Sequence, residues 1–328
     1  LTDLPVSPRR RQALAGLAFL PLAAPANAQS AWPAKPIRWI CPYAVGGPSD
    51  IVSRVFAVEM ARTLGQQVVV ENRPGANANI GAEVAAKAVP DGYTVFMGTG
   101  STHGINPAIY PKLAYDPVRD FAPVSLLTES MLFLVVNNEL PVRSVRELID
   151  YARANPGRLS YGSVGNGSAH HLAMEMFKLR TRTFLVHIPY RGSAPAIQDL
   201  IAGRIQVMFD ASSAPQIRAG TVRGLATASM RRWPQLPDLP ALAEVGMPDF
   251  HVGGWFGLFA PAGTPKAVID RLAAEVARIQ TLPEVRQRIA GMGLNVLPGG
   301  PDEAAKWVAA EMAKWPPVAK ASGARADD

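Results

Sequence analysis

The chain has 328 residues, 48% hydrophobic and 18% charged, enough apolar content to bury a sizeable core and too much for a disordered protein. Its single cysteine, Cys41, excludes an intrachain disulfide, and its place in Ile40-Cys41-Pro42 at a strand end marks it as core filler. The formal charge of +7 favours organic anions, whereas dispersed basic residues and 7% aromatics argue against nucleic acid.

Arg9, Arg10 and Arg11 precede an apolar run from Ala13 to Leu22, and Ala26-Asn27-Ala28 supplies small residues for cleavage, so residues 1–28 read as a signal peptide. Pro21 and Pro25 disfavour the alternative, a buried helix. Arg10-Arg11 leaves Sec and twin-arginine export both open. Cleavage near Ala28 would remove three arginines and Asp3 and lower the charge to +5. No other apolar stretch reaches the roughly 18 residues of a membrane span, so the mature chain is expected in the periplasm as a soluble monomer.

Ile37 to Cys41 predicts a strand, followed by a glycine loop, Pro42-Tyr43-Ala44-Val45-Gly46-Gly47, and a helix from Ser49 with Val52, Val55, Phe56 and Met60 inward, ended by Gly65. Strand Val68–Val70, helix Gly81–Ala88, a turn at Pro90-Asp91-Gly92 and strand Thr94–Met97 come next. Such alternation predicts a mostly parallel sheet flanked by helices. A strand over Phe121–Leu127 then leads into Phe133–Val136, where the chain is expected to cross into a second lobe.

Ser144-Val145-Arg146-Glu147 predicts a capped helix start. Strand Leu159–Gly162 leads to a second glycine loop and a helix with Leu172, Met176 and Leu179 inward. Strand Phe184–Ile188, helix Ala194–Ala202, and strands Ile205–Phe209 and Leu225–Ala228 follow. Val252–Ala260 reads as the return crossing, Pro265 starts a long helix, and Pro301–Trp315 forms another. At about 100–200 residues per domain, two lobes are expected: residues 29–130 plus 251–328, and residues 131–250.

Both glycine loops join a strand to a helix, so each is a candidate anion seat: the backbone can turn its N–H groups inward and the helix start adds about half a positive charge. Ligands of open α/β sheets bind beyond the strand carboxyl ends, where Ser49, Thr99, Ser101, Ser163 and Ser168 fall. Each is either a helix cap or a hydroxyl donor to a carboxylate, and recurrence at matching places favours binding. Asp50 and Asp210 either cap backbone N–H groups or accept from a ligand hydroxyl or ammonium. His171, near a helix start, is a packing or capping residue before it is a ligand contact, and its adjacent partner His170 diverges from it, which argues against zinc. Neither Ser163 nor Ser168 has the flanking glycines of a hydrolase elbow, and the dinucleotide-like Gly98-Thr99-Gly100 and Gly165-Asn166-Gly167 both end in histidine where the third glycine belongs. No catalytic residue, metal or cofactor is expected. The competing classes are an exported hydrolase and the binding subunit of a sensor.

These blocks, with Glu71-Asn72-Arg73-Pro74-Gly75-Ala76, Pro90-Asp91-Gly92-Tyr93-Thr94, Ile188-Pro189-Tyr190-Arg191-Gly192 and Pro261-Ala262-Gly263-Thr264-Pro265, resemble the substrate-binding proteins of tripartite tricarboxylate transporters, the Bug family. The resemblance covers the whole mature chain. It implies a two-lobed, type II-like Venus flytrap that binds a small carboxylate and passes it to membrane permease subunits. On that likeness Tyr43, Gly47, Ser49 and Asp50 carry one side of the site, Ser163, Gly165, Gly167 and Ser168 the other, and Ser101, Tyr190 and Asp210 line the cleft. Asn77 and Ala78 stand where the family usually has glycines, so the shape of that loop is open.

Overall fold

The computed structural model describes residues 32–323; the expected signal peptide lies outside the described residues. β1 (Ile37–Cys41) is apolar except for Arg38, which pairs with Glu71, because helices cover both its faces, and α1 (Pro48–Leu64) opens on a proline, which has no N–H to leave unpaired. As the spacing predicts, Val52, Val55, Phe56 and Met60 are buried, and Gly65 closes the helix in the left-handed conformation at φ 67°. β2 (Val68–Asn72), α2 (Asn79–Ala86) and β3 (Thr94–Thr99) follow. A wide π-type turn over Ser101–Ile105 then runs into α3 (Asn106–Ile109), neither anticipated from sequence, before β4 (Phe121–Glu129).

The chain then leaves for a second sheet through β5 (Phe133–Val136), α4 (Val145–Ala154), β6 (Ser160–Ser163), α5 (Ala169–Thr181), β7 (Val186–Pro189), α6 (Ser193–Ile201), β8 (Val207–Asp210), α7 (Ala214–Arg218) and β9 (Arg223–Thr227). It returns as β10 (Trp255–Pro261), α8 (Lys266–Thr281), α9 (Pro283–Gly291), β11 (Asn295–Val296) and α10 (Pro301–Ser322). The predicted cap of α4 forms: Ser144 Oγ accepts from Glu147 N at 3.2 Å, while Glu147 reaches back to Arg143 N at 2.8 Å.

The first sheet has the order β11-β4-β10-β3-β1-β2 and the second β7-β6-β8-β5-β9. Both are mixed rather than mostly parallel in their pairing: β10 is antiparallel to β3 and β4, and β5 to β8 and β9. The crossing strands are the cause. β4 ends where the sheets face each other, so β5 enters its sheet from that side and must run away from it, against the strands that end there; β10 does the same on return. The two crossings touch: Ser130 N donates to Gly254 O at 2.7 Å, and a Cβ on Gly253 would lie 1.9 Å from Ser130 O, so only glycine fits.

Two side-chain expectations change. Leu172 and Met176 are buried, but Leu179 is 47% exposed, because the buried row of α5 continues with a spacing of four through Ala173, Phe177 and Thr181. α10 does not stop at Trp315: it continues through Pro316 and Pro317, although each proline lacks a helix N–H. Trp315, Val318 and Ala319 are buried in one cluster with Leu172, Phe177 and Phe209 of the second sheet's core, at roughly 1.5–3 kcal/mol per large side chain, which offsets the break.

Candidate functional site

The loops after β1 and β6 border one cleft of about 980 Å³ between the sheets. In the first, Gly46 sits at φ 84°, where an L side chain would be strained, and its N–H donates to Asp50 Oδ2 at 2.9 Å. Asp50 also accepts from Arg54 Nε at 3.0 Å and Asn72 Nδ2 at 2.9 Å. Burial opposes its charge, but the Arg54, Gly46 and Asn72 hydrogen bonds outweigh it and hold the carboxyl below the usual carboxylate range. Asp50 is thus a brace of the loop and not part of the cleft wall, a correction to its expected role.

The second loop is braced likewise. Gly165 O accepts from Ser168 Oγ at 2.7 Å and Ser163 Oγ at 3.1 Å, Ser168 Oγ caps α5 by accepting from His171 N, and Gly167 N donates to His171 Nδ1 at 3.1 Å. Ser163 is fully buried; its Oγ lies 2.6 Å from His187 Nε2, a nucleophile–base spacing, yet the serine is absent from the cleft wall. Burial, then neighbouring His171, pushes the His187 imidazole down to about 4, so it is neutral.

The glycine N–H groups are therefore engaged inward, contrary to the simple seat expected from the motif. Helix geometry supplies other donors. Helical bonding in α1 begins with Ile51 N to Gly47 O, and in α5 with Leu172 N to Ser168 O. The N–H groups of Ser49 and Asp50, and of Ala169 and His170, are left with no acceptor among the described residues. Two long helices thus aim unsatisfied donors and their positive dipole ends toward one cleft.

Of the residues expected in the site, Tyr43, Gly47, Ser49, Thr99, Ser101, Gly167 and Ser168 line the cleft, whereas Asp50, Ser163, Gly165, Tyr190 and Asp210 stand behind it. Tyr190 donates to Asp199 Oδ2 at 2.8 Å, and burial with that carboxylate raises its hydroxyl to about 12. Asp210 is fully buried, accepting from Ser193 Oγ and, at 2.7 Å, from Ser212 N, with His170 Nε2 at 3.5 Å. Burial pushes its carboxyl up, but His170, Ser193 and Ser212 prevail and keep it low. It orients His170, which does line the cleft.

Sequence reasoning missed Asn77, His170, Trp255, Phe256, Glu311 and Trp315 on the wall. Trp255 and Phe256 open the return strand, and since that strand runs away from the cleft its first residues must lie there; the signal was present in its direction. Glu311 and Trp315 come from α10, whose length the two prolines concealed. Among the described wall residues there is no lysine or arginine, and Glu311 is already paired with Lys314 and accepts from Trp315 Nε1 at 3.0 Å.

Two α/β lobes linked by paired crossings, with helix starts converging on the cleft between them, define a solute-binding protein. The chain belongs to the tripartite tricarboxylate transporter receptor family, whose model matches residues 52–324. It is 39% identical over 312 residues to the UPF0065 protein in the tcbD-tcbE intergenic region of Pseudomonas sp. (strain P51), covering 93% of this chain and 92% of that one. An R. palustris protein solved with adipate superposes with a TM-score of 0.72 at 37% identity, covering 90% of this chain and 99% of the other. MatC from Rhodopseudomonas palustris with bound malate gives 0.68 at 35% identity, covering 87% and 99%. Receptors of this family are periplasmic.

Proposed function

We propose that the protein captures a small organic carboxylate between its lobes and delivers it to the membrane subunits of a tripartite transporter. One observation carries the reading: the unengaged N–H groups of Ser49 at α1, and of Ala169 and His170 at α5, belong to residues that line a single cleft from opposite sheets. A carboxylate spanning it satisfies both sets only when the lobes close, so binding shifts the population toward closure. Adipate and malate in related proteins support the ligand class.

Each helix start contributes roughly 0.3–1 kcal/mol, up to about 2 when partly buried, against about 8 kcal/mol for micromolar affinity. Directed hydrogen bonds from the wall hydroxyls of Tyr43 and Ser101 supply more. In this reading residues 29–130 and 251–328 form one lobe and residues 131–250 the other, α10 lies along both, residues 1–28 direct export, and the protein works as a monomer. Isothermal titration with dicarboxylates and aromatic acids, beside their amides and esters, tests the ligand class. Equal affinity for the neutral analogues would refute it.

A further inference from the structure

Ala76, Asn77 and Ala78 all have positive φ, at 46°, 50° and 74°, in a run where glycine is the unstrained residue. Asn106, fully buried at the start of α3, holds this turn in place. Its Nδ2 donates to Asn77 O at 2.8 Å and to Asn79 Oδ1 at 2.7 Å, and its Oδ1 accepts from Asn77 Nδ2 at 2.8 Å. Asn77 O can only accept, so it fixes Asn106 Nδ2 as the donor and Asn79 Oδ1 as its second acceptor; Tyr115 OH lies 3.1 Å from Asn79 Oδ1 and 3.0 Å from Thr102 O.

This network decides how the Asn77 amide is oriented. Both hydrogens of Asn106 Nδ2 are spent, so its oxygen must accept, and only the nitrogen of Asn77 can donate to it. The oxygen of Asn77 is the end left over. It takes part in no hydrogen bond among the described residues, and Asn77 lines the cleft. A strained turn, clamped from behind, thus leaves a carbonyl-type acceptor on the same wall as the helix-start N–H donors.

An acceptor there repels the lone pairs of a bare carboxylate and rewards a ligand hydrogen. Resting on the carboxylate reading above, we propose that Asn77 Oδ1 is a specificity determinant that selects carboxylates carrying a hydrogen-bond donor, a hydroxyl or an ammonium group, over unsubstituted ones.

The experiment is isothermal titration of the wild-type protein and Asn77→Gly with matched sets: succinate, malate and aspartate; glutarate, 2-hydroxyglutarate and glutamate; adipate and 2-hydroxyadipate. Glycine suits φ 50°, which offsets the lost hydrogen bond to Asn106 Oδ1, so the variant should fold with a Tm close to the wild type's, which differential scanning fluorimetry reads directly. The wild type should prefer one substituted member of a set by about three- to tenfold, the worth of one hydrogen bond, with the hydroxyl and ammonium members separating the two donor types. Asn77→Gly should abolish that preference by weakening the substituted ligand alone. No preference in the wild type, or a preference that survives the substitution, would overturn the role of Asn77 while leaving carboxylate capture intact. Failure of every acid to bind would remove both.

Discussion

The Gly167 N–H donates to Nδ1 of His171 at 3.1 Å, so the second ligand loop rests on the lone pair of a neutral imidazole. That contact fixes the tautomer with its hydrogen on Nε2, which lies 3.9 Å from Glu175. A proton on Nδ1 would set two hydrogens against each other and release the loop.

Ligand affinity should therefore fall once pH drops through the His171 pKa, which lies below the ordinary imidazole value of about 6.5. Burial keeps the His171 pKa below that value, Glu175 opposing and Lys178 assisting, so the neutral form persists into mild acid before the loop loosens. His171→Leu should bind about tenfold more weakly with a flatter pH profile, one hydrogen bond and its aim being lost. Titration calorimetry from pH 8 down to 4 checks this; wild-type affinity that falls nowhere in that range would sink it.

Stability should decline along the same axis. Burial lowers His103 to about 3, and His187 and His251 to about 4. Their neutral forms are favoured only in the fold, so stability is full above the unfolded value near 6.5 and is lost as pH falls toward 4, because the unfolded chain takes up protons the fold refuses. Asp50 and Asp210, both depressed, act with the same sign at still lower pH. Melting curves between pH 7.5 and 4 should show a falling Tm; a rise toward pH 5 would contradict the buried neutral imidazoles.

Asp50→Ala removes the acceptor of Gly46 N, Arg54 and Asn72 together. Arg54 is half exposed and its ion pair is screened, so the expected cost is about 1–3 kcal/mol, mainly from unsatisfied neighbours. Urea denaturation should record that loss alongside weaker ligand binding. Lost affinity at unchanged stability would instead make Asp50 a direct ligand contact.

Gly253→Ala forces a methyl against Ser130 O at the paired crossings. The crossings must separate, at about 1–3 kcal/mol by analogy with overpacked sites, and the closure equilibrium moves with them. Small-angle scattering with and without ligand, beside a thermal melt, reads both effects; a variant matching the wild type in Tm and in ligand-induced compaction would show that this contact is not held in solution.

Local chemistry made much of this protein readable. The Val52, Val55, Phe56, Met60 stripe, the Ser144 cap and the strand–glycine–helix units each depend on neighbours within a few residues, and all three formed as expected. The β7 edge shows where that reading thins: Phe184, just before it, and Val186 and Ile188 in it look like core, yet they are exposed at the last strand of this sheet among the described residues. The continuation of α10 past Pro316 was hidden for a related reason, since burial against the second sheet overrides a strong local stop signal.

From its residues alone the chain determined that it would alternate strand and helix, turn on glycine twice, and place small polar groups at strand ends, because backbone sterics and hydrophobic period act over short range. Only the tertiary structure decided which of those groups reach the cleft. Asp50, Ser163 and Asp210 are drawn inward by Arg54, His187 and Ser193, residues whose arrival depends on packing, while Asn77 and Trp255 are brought forward by Asn106 and the direction of β10. A polar side chain goes to the nearest partner that desolvation leaves it, and that partner is set by three-dimensional neighbours and not by sequence spacing.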